Sequence, residues 1–467
     1  MSSTIAGDVT ALRATLAGSL ITPESPDYDE FRRVWNGDKD GHPAVIVCCE
    51  SDADVAAAIT FARDAGFEIA VRGGGHSFAG LSAVDDGLVI DLRRMNSVHV
   101  DPSARRVKVG GGALLSDMDV ATQKHGLATP AGMISHTGVG GLTLGGGIGW
   151  QARKSGLGLD NVVSARVVTA DGQVRRAADD ENPDLLWAIR GGGGNFGVIT
   201  EFEFRLHEVG PTVQFALLFY GQDQAVEMFR LGQALLEELP RQFALAMGAI
   251  TAPDAPFVPE QYQHQPGYVL MLADLGPEDA GGELHAQLVE RISRQLPPLF
   301  DTVTPTPFVE LQQLFDEATR WGLHCYEKGT YIEELTEEVI SVLVEQAPLR
   351  TSPHSVMLFL RMDGAYCDTA DADTAFGGAR VPHFAFFITA VCEAPELLAA
   401  ERDWVRNFWH ALQPYSIGTG SYINAMSEVE DDRVRATYGE KYPRLARIKA
   451  EYDPQNLFHR NLNILPA

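Results

Sequence analysis

In the first hundred residues, short apolar runs lie on either side of a segment with a helical pattern of apolar positions. Between Ser51 and Gly66 apolar residues recur every three or four positions, which predicts a helix with one buried face. Ser51 or Asp52 can cap its first turn, and Gly66 can end it. The apolar runs predict strands at 43–49, 67–71 and 87–92. This order of strand, helix and strand is typical of an α/β unit.

Two hairpins are predicted further along the chain. In the first, at 98–112, two strand-like runs flank a turn that contains proline. In the second, at 162–177, Asp171 and Gly172 separate two runs of β-branched residues, which is a strong hairpin signal. The other elements predicted in this part are a helix at 113–125 and an alternating strand at 198–207.

The pattern changes after about residue 208, where glycine clusters give way to strand-like runs alternating with longer helical runs. The strands are predicted at 213–220, 268–275, 356–362 and 384–392, and the helices at 224–238, 281–295 and 335–346. From about residue 414 small loops return. We therefore predict an α+β protein divided into segments 1–207, 208–413 and 414–467, the middle one carrying an antiparallel sheet.

Charge and composition narrow the classes of function. The chain has 37 basic and 63 acidic residues, a net charge of −26, which argues against nucleic acid and anionic membranes as partners. The longest apolar stretch, at 383–392, is far shorter than the ~20 residues that a membrane helix needs. The chain has five cysteines, an odd number, and no C-x-x-C pair. This pattern argues against a disulfide framework and against a structural zinc site. With no signal-like N-terminus, we expect a cytoplasmic protein.

Four glycine clusters, at 71–80, 109–115, 138–150 and 190–200, are the candidate ligand site. They favour a main chain that approaches an anion such as a pyrophosphate, with tight turns as the alternative. One cluster, at 192–197, reads G-x-G-x-x-G, but a helical run precedes it and a strand-like run follows it. Because a nicotinamide-binding unit has the reverse order, we reject that interpretation. No P-loop motif is present.

His76 is unusual because it lies among glycines directly after a predicted strand. A histidine among glycines contributes little to packing, and its imidazole can act as a nucleophile when it is neutral. The simpler alternative is a loop histidine that only forms hydrogen bonds.

Several long motifs occur together in one order, and together they resemble a known family. They are VRGGGHSFAG, GLVIDLRRMNSV, GVGGLTLGGGIGW, NPDLLWAIRGGGGNFGVIT and YDPQNLFHRNLNI. The chain is similar to FAD-linked oxidoreductases of the vanillyl-alcohol-oxidase type, in the berberine-bridge-enzyme-like branch. This resemblance implies an FAD-binding domain made of the N-terminal region and the tail, with the middle segment inserted as the substrate domain.

The resemblance also implies the residues of the site. His76 matches the histidine that bonds covalently to the flavin 8α carbon. The residues that would contact FAD are Arg72, Gly73, Gly74, Gly75, His76, Ser77, Thr137, Gly138, Gly141, Leu142, Gly145, Gly147, Ile199, Tyr422, Asn424 and Asn461. Tyr422 is the first candidate for a base or proton relay, with a structural role as the alternative. Tyr326, Tyr366, His136 and Glu327 are further candidates for structural or substrate contacts, and Trp150 is expected in the core.

The sequence departs from the family at one position. Many members carry a second covalent link through a cysteine in an AGxC segment, and Ile134 occupies that position here. We therefore predict a single covalent link. Thr137 matches a position that controls access of oxygen to the flavin, and its small side chain favours an oxidase.

We predict an FAD-dependent oxidoreductase that takes a hydride from a small organic alcohol, amine or polyketide-like metabolite, with O₂ as the electron acceptor and H₂O₂ as product. A dehydrogenase or an oxidative cyclase is the alternative within the class. A catalytically silent flavin-binding protein is the alternative outside it.

Overall fold

The computed structural model describes residues 3–277, 282–418, 422–428 and 431–467, without the side chains of residues 3–8 and 431. A small sheet begins the fold. Its strands are β1 (Ser19–Ile21), β2 (Val45–Cys48), β3 (Ile69–Arg72) and β4 (Leu88–Asp91). They lie in the order β1-β2-β4-β3, with β2, β4 and β3 parallel and β1 antiparallel to β2.

The predicted first helix is confirmed at α3. The helices of the N-terminal region are α1 (Ser3–Thr15), α2 (Tyr28–Arg32), α3 (Asp52–Ala65), α4 (Leu115–Gln123), α5 (Val139–Gly145), α6 (Ala152–Ser155) and α7 (Pro183–Ile189). The Ser51 side chain caps α3 by accepting a hydrogen bond from the Asp54 N–H at 3.2 Å. Gly66 ends α3 in the left-handed conformation, with φ of 74°. Its apolar face packs on the small sheet.

A second, antiparallel sheet contains both predicted hairpins. The strands of this part are β5 (Val98–Asp101), β6 (Arg106–Gly110), β7 (Leu127–Ala128), β8 (Val162–Val168), β9 (Val174–Ala178), β10 (Val198–Arg205) and β11 (His207–Glu208). The sheet order is β5-β6-β10-β8-β9, and β7 pairs with β11 separately. The segment 192–197 follows α7 and precedes β10, as the sequence order predicted.

The middle of the chain forms a seven-stranded antiparallel sheet. Its strands are β12 (Thr212–Tyr220), β13 (Phe243–Thr251), β14 (Pro266–Asp274), β15 (Phe300–Pro307), β16 (His324–Ile332), β17 (Val356–Met362) and β18 (His383–Cys392), in the order β15-β12-β14-β13-β17-β18-β16. The four predicted strands are confirmed, and so is the α+β class. The hydrophobic pattern does not predict β13, β15 and β16. β13 is rich in alanine, and β15 carries prolines that an edge strand tolerates.

Helices cover one face of this sheet, and the opposite face is turned towards the N-terminal region. The remaining helices are α8 (Ala225–Leu235), α9 (Glu283–Gln295), α10 (Phe308–Leu311), α11 (Glu337–Gln346), α12 (Ala365–Asp368), α13 (Leu398–Leu412), α14 (Asp431–Tyr438) and α15 (Tyr442–Tyr452). Position 281 of the predicted helix at 281–295 lies outside the described residues. Among the described residues, no helix has the length and hydropathy needed to cross a bilayer.

A buried lysine joins the tail of the chain to a glycine cluster. The Lys449 Nζ donates to the carbonyl oxygens of Asn195 (2.7 Å) and Phe458 (3.1 Å) and to the Asp453 carboxylate (2.6 Å). Lys449 and Asp453 are both fully buried. Asp453 also accepts hydrogen bonds from the N–H groups of Leu457 and Phe458. The tail therefore packs directly against segment 192–197.

We expect Lys449→Met to lower the free energy of unfolding by about 3–5 kcal/mol, because it leaves the Asp453 carboxylate buried without its cation. Urea denaturation of the full chain would measure the change. Arg230→Met, which breaks an exposed pair with Glu337, is the control and should leave the unfolding curve nearly unchanged. Equal curves for both variants would contradict a central role for the Lys449 pair.

Candidate active site

A cavity of about 1000 Å³ lies between the glycine clusters, the tail and the open face of the seven-stranded sheet. This volume is at the upper end of the ~300–1,000 Å³ that is usual for small-molecule sites. Residues of all four glycine clusters line one end, and apolar side chains of the sheet line the other. The two ends differ in chemistry, since one presents main chain and the other presents side chains.

At the glycine end two loops are in main-chain contact. A Cβ atom on Gly74 would lie 2.4 Å from the Gly138 N, so neither position has room for a side chain. Among the described parts of the chain, the main-chain N–H groups of residues 73–77 donate to no other group. Free N–H groups beside a cavity can bind an anionic ligand.

Most of the predicted site residues line this cavity. They are Gly73, Gly74, Gly75, His76, Ser77, Thr137, Gly138, Gly141, Leu142, Ile199, Tyr422, Asn424 and Asn461. Arg72, Gly145 and Gly147 are not among the lining residues. The Arg72 side chain donates to the carbonyl oxygen of Phe31 instead.

Gly145 and Gly147 contact residues that do line the cavity. The Gly147 N–H donates to the Tyr422 hydroxyl at 3.0 Å, and a Cβ on Gly145 would lie 2.2 Å from the Asn424 Oδ1. Both glycines therefore contribute to the site through close approach to these two side chains rather than as part of its wall.

The His76 imidazole lies between two other rings on the cavity wall. Trp35 stacks on it with ring centroids 4.0 Å apart and planes inclined by 15°. On its other side the His76 Nε2 lies 3.1 Å from the His136 Nδ1. Burial, with a smaller contribution from His136, lowers the pKa of His76 to about 3. The ring is therefore neutral at physiological pH, with a proton on one nitrogen and a lone pair on the other.

Tyr422 is held by hydrogen-bond donors at its hydroxyl oxygen. The Gly147 N–H and the Asn424 Nδ2 both donate to the hydroxyl oxygen at 3.0 Å, and the same Asn424 amide group donates to the Leu142 carbonyl. Burial raises the pKa of Tyr422, and these donors oppose that rise by favouring the ionised oxygen. The hydroxyl proton of Tyr422 remains available for a ligand in the cavity.

The sheet contributes an apolar wall with one buried carboxyl group in it. The apolar lining residues of the sheet are Leu217, Phe219, Ile250, Val269, Met271, Phe300, Val356, Leu358, Leu360, Phe387 and Val391. The carboxyl group belongs to Glu327, which accepts a hydrogen bond from the Thr389 hydroxyl at 2.7 Å. Burial raises the pKa of Glu327 to about 8.

The remaining candidate residues, Tyr326, Tyr366 and Trp150, lie outside the cavity wall. Tyr326 packs against the guanidinium groups of Arg402 and Arg406, and neither Tyr326 nor Tyr366 lines the cavity. Trp150 lies in the core against two phenylalanines, as expected.

Sequence reasoning missed Trp35 and Asn195. Asn195 is fully buried and bonds to the carbonyl oxygens of Gly192 and Leu462 and to the Ile464 N–H, which fixes the tail beside the glycine cluster. Asn195 lies inside the G-x-G-x-x-G motif, so a polar residue among glycines was an available signal. Nothing near Trp35 in the sequence indicates its contact with His76.

Comparison with known proteins agrees with this arrangement. The family model described as FAD binding domain matches residues 43–178, and the model described as berberine and berberine like matches residues 421–465. The (R)-6-hydroxynicotine oxidase of Paenarthrobacter nicotinovorans is 31% identical, covering 97% of this chain and 97% of that protein. The FAD-linked oxidoreductase pgmH of Aspergillus terreus is also 31% identical, covering 98% of this chain and 96% of that protein.

The chain belongs to the family of FAD-linked oxidoreductases. Solved structures share its fold along nearly the whole length. The 6-hydroxy-D-nicotine oxidase of Arthrobacter nicotinovorans has a TM-score of 0.83 at 27% identity, covering 97% of this chain and 98% of that one. A variant of the BBE-like 1 protein of Physcomitrella patens has a TM-score of 0.85 at 22% identity, covering 98% of this chain and 99% of that one. This FAD-linked oxidoreductase is therefore an enzyme whose cofactor is FAD, and the free N–H groups of residues 73–77 fit the pyrophosphate of that cofactor.

Proposed function

We propose that the protein is an oxidase that carries FAD on a single covalent bond to His76 and transfers electrons from a small organic substrate to O₂, producing H₂O₂. The observation that carries the proposal is the neutral His76 imidazole on the cavity wall, next to a loop with free N–H groups. An imidazole with a free lone pair is the nucleophile that such a bond requires.

Different lining residues would bind different parts of the cofactor. The N–H groups of residues 73–77 would bind the pyrophosphate, and Gly138, Gly141, Leu142 and Ile199 would flank the rings. FAD, when bound, supplies the hydride acceptor. Asn461 would close the site from the tail, since it lies against Gly194.

One covalent link is favoured over two. Ile134 lines the cavity but offers no thiol. Thr137 also lines the cavity, and its small side chain would leave O₂ room to approach.

Tyr422 is our candidate for the group that takes the substrate proton. The Gly147 N–H and the Asn424 amide both donate to its oxygen, and these donors favour the ionised form that can accept a proton. Glu327 would contact the substrate, since its carboxyl group lies in the apolar wall of the cavity.

We infer a small, largely apolar substrate, an alcohol, an amine or a polyketide-like molecule, from the composition of the sheet wall. The alternative is a dehydrogenase or an oxidative cyclase, which would use the same hydride transfer with a different electron acceptor or product. A silent flavin-binding protein is less consistent with the partnered Tyr422 hydroxyl.

Intact mass and peroxide production test the proposal. The mass of the purified chain should exceed its 50.7 kDa by one FAD, and acid-precipitated protein should be yellow. With O₂ as the sole acceptor, a panel of apolar alcohols and amines should include one that yields H₂O₂. A colourless pellet would contradict the proposed covalent bond. Flavin reduction without peroxide would contradict the proposed oxidase activity.

We also propose a cytoplasmic location. All five cysteines are free thiols, which is usual in a reducing compartment.

The buried Glu327 predicts a pH dependence of stability. Its folded-state pKa of about 8 is above the ordinary value, so the folded state binds the proton more tightly and stability falls as pH rises from about 4.5 to 8. Glu327→Gln keeps the hydrogen-bonding shape of the protonated acid. We expect a melting temperature close to the parent at about pH 4.5 and higher than the parent at pH 9. Glu334→Gln, at an exposed position nearby, should follow the parent at both pH values.

A further inference from the structure

A single ionisable side chain interrupts the apolar wall of the cavity. Among the described residues of the seven-stranded sheet that line the cavity, Glu327 is the one that can carry a charge. We propose that Glu327 is a specificity-determining residue: as the uncharged acid it donates a hydrogen bond to a carbonyl oxygen, so that the enzyme selects a neutral carbonyl compound as its substrate. This inference rests on the proposed function and narrows its substrate class to neutral molecules with a carbonyl group.

The main chain of Glu327 is held on both sides of β16. On one side β18 pairs with β16 and places Thr389 directly opposite Glu327. On the other side the tail approaches, where the Glu327 N–H donates to the Ser427 hydroxyl oxygen at 2.7 Å and Lys328 forms a β-bridge with Met426. The carboxyl group is therefore presented to the cavity from a fixed backbone.

One of the two carboxyl oxygens of Glu327 is already engaged. The Thr389 hydroxyl donates to Oε2 at 2.7 Å, and among the described residues Oε1 has no hydrogen-bond partner. Because the hydroxyl spends its one proton on Oε2, the acid proton of Glu327 belongs on Oε1. Glu327 lines the cavity, so this O–H is the donor that a ligand would meet.

The surroundings of Glu327 keep it uncharged at neutral pH. The titratable groups that face it are the Cys325 thiol, from the same strand, and the Tyr422 hydroxyl, from the tail, and neither is a cation. The neighbouring Lys328 pairs with Glu428 instead, at 3.2 Å. With no positive charge to favour the carboxylate, burial raises the pKa of Glu327 to about 8.

Charged substrates fit this wall less well than neutral ones. A carboxylate compound would find no free cation among the described lining arginines, since Arg320 pairs with Glu393 at 2.8 Å and Arg460 donates to the Ala83 carbonyl oxygen at 2.6 Å. An ammonium compound would have to leave water and ionise Glu327, and the cost of desolvating a buried ion pair can exceed its Coulombic attraction. A carbonyl oxygen accepts the proton of Oε1 without either cost.

Three ring compounds of similar size test this selection in the holoenzyme. They are acetophenone, which is a neutral carbonyl compound, 1-phenylethylamine, which is an ammonium ion, and benzoate, which is an anion. Changes in the flavin absorption spectrum report their binding at equilibrium, independently of turnover. At about pH 6.5, below the pKa of Glu327, we expect acetophenone to bind at least about 10-fold more tightly than either ion.

Variants test whether Glu327 is the donor. We expect Glu327→Leu to weaken acetophenone binding by about 10-fold, because the buried carbonyl oxygen loses its partner. Glu327→Gln should bind like the parent, since its amide group can donate in place of the acid. At about pH 9.5 the parent should weaken towards Glu327→Leu as the acid ionises, whereas Glu327→Gln should not change. Glu317→Leu, at an exposed carboxyl group that lines the same cavity, is the matched control.

The possible results separate this inference from the proposed function. Tighter binding of 1-phenylethylamine than of acetophenone at about pH 6.5 would overturn the inference in favour of an ion-pair site. Binding of none of the three compounds, or equal acetophenone affinity in Glu327→Leu and the parent, would also overturn it. If Glu327→Leu fails to fold, equal weakening of Glu327→Gln and the parent at alkaline pH would do so. None of these results changes the mass or the peroxide production by which the proposed function is tested.

Discussion

His76→Ala should abolish covalent flavin while FAD still binds. The free N–H groups of residues 73–77 and the close contact of Gly74 with Gly138 do not depend on the imidazole, so the cofactor pocket remains. Acid precipitation should then leave a colourless pellet and a yellow supernatant, in contrast to the parent protein. Turnover should also fall, because the covalent bond fixes the flavin ring and raises its reduction potential.

Intact mass and acid precipitation measure the first effect, and steady-state rates measure the second. His99→Ala, at an exposed position on β5, serves as the control and should retain both properties. A yellow pellet from His76→Ala would place the covalent bond on another residue. Loss of all flavin would show instead that the imidazole is needed for binding itself, against the role proposed for the glycine loops.

Local patterns in the sequence predicted much of the fold. The cap at Ser51 and the left-handed Gly66 bound α3, and the turn at Asp171 and Gly172 joins β8 to β9. Each of these signals acts over a few residues, so it does not depend on the rest of the chain. The strand β16 gives no such signal. Most of its residues are buried on both faces of the sheet, but the charged residues Glu327 and Lys328 interrupt the apolar run that would predict a buried strand.

The parts of the site that are formed by main chain could be predicted from the sequence. The parts in which side chains from distant segments meet could not. The glycine clusters and His76 line the cavity as the sequence indicated. Trp35 reaches His76 from 41 positions away in the chain, and Lys449 reaches Asn195 from 254 positions away. Contacts of this kind depend on how the segments pack, which neither periodicity nor composition reports.

Arg72 begins the glycine loop, and the prediction that it contacts FAD concerns its main chain rather than its side chain. It is the first of the proposed FAD-contacting residues, yet its side chain is buried beside Asp91 and donates to Phe31. Burial lowers the pKa of Arg72 to about 10, and the Asp91 carboxylate opposes that fall. Its visible role is to fix the end of β3, from which the glycine loop begins.

Tyr422→Phe should lower kcat by about 10²- to 10⁴-fold while covalent FAD is retained. The substitution removes the oxygen that would accept or relay the substrate proton, and it also leaves the Gly147 N–H without its partner. Since burial raises the pKa of Tyr422, the rate of the parent enzyme should rise towards alkaline pH as the hydroxyl ionises. That limb of the pH profile should disappear in the variant. Flavin reduction followed without O₂ measures the step itself, separately from reoxidation.

The matched control is Tyr331→Phe. Tyr331 is a buried tyrosine in the same apolar cluster as Tyr422, but it does not line the cavity, and its hydroxyl has no hydrogen-bond partner among the described residues. This variant should reduce flavin at nearly the parent rate. Equal rates for Tyr422→Phe and the parent would mean that the Tyr422 hydroxyl is structural. Glu327, the buried carboxyl group on the facing sheet, would then be the next candidate to accept the proton, at pH values above its pKa of about 8. Glu327→Gln would become the variant expected to lose flavin reduction.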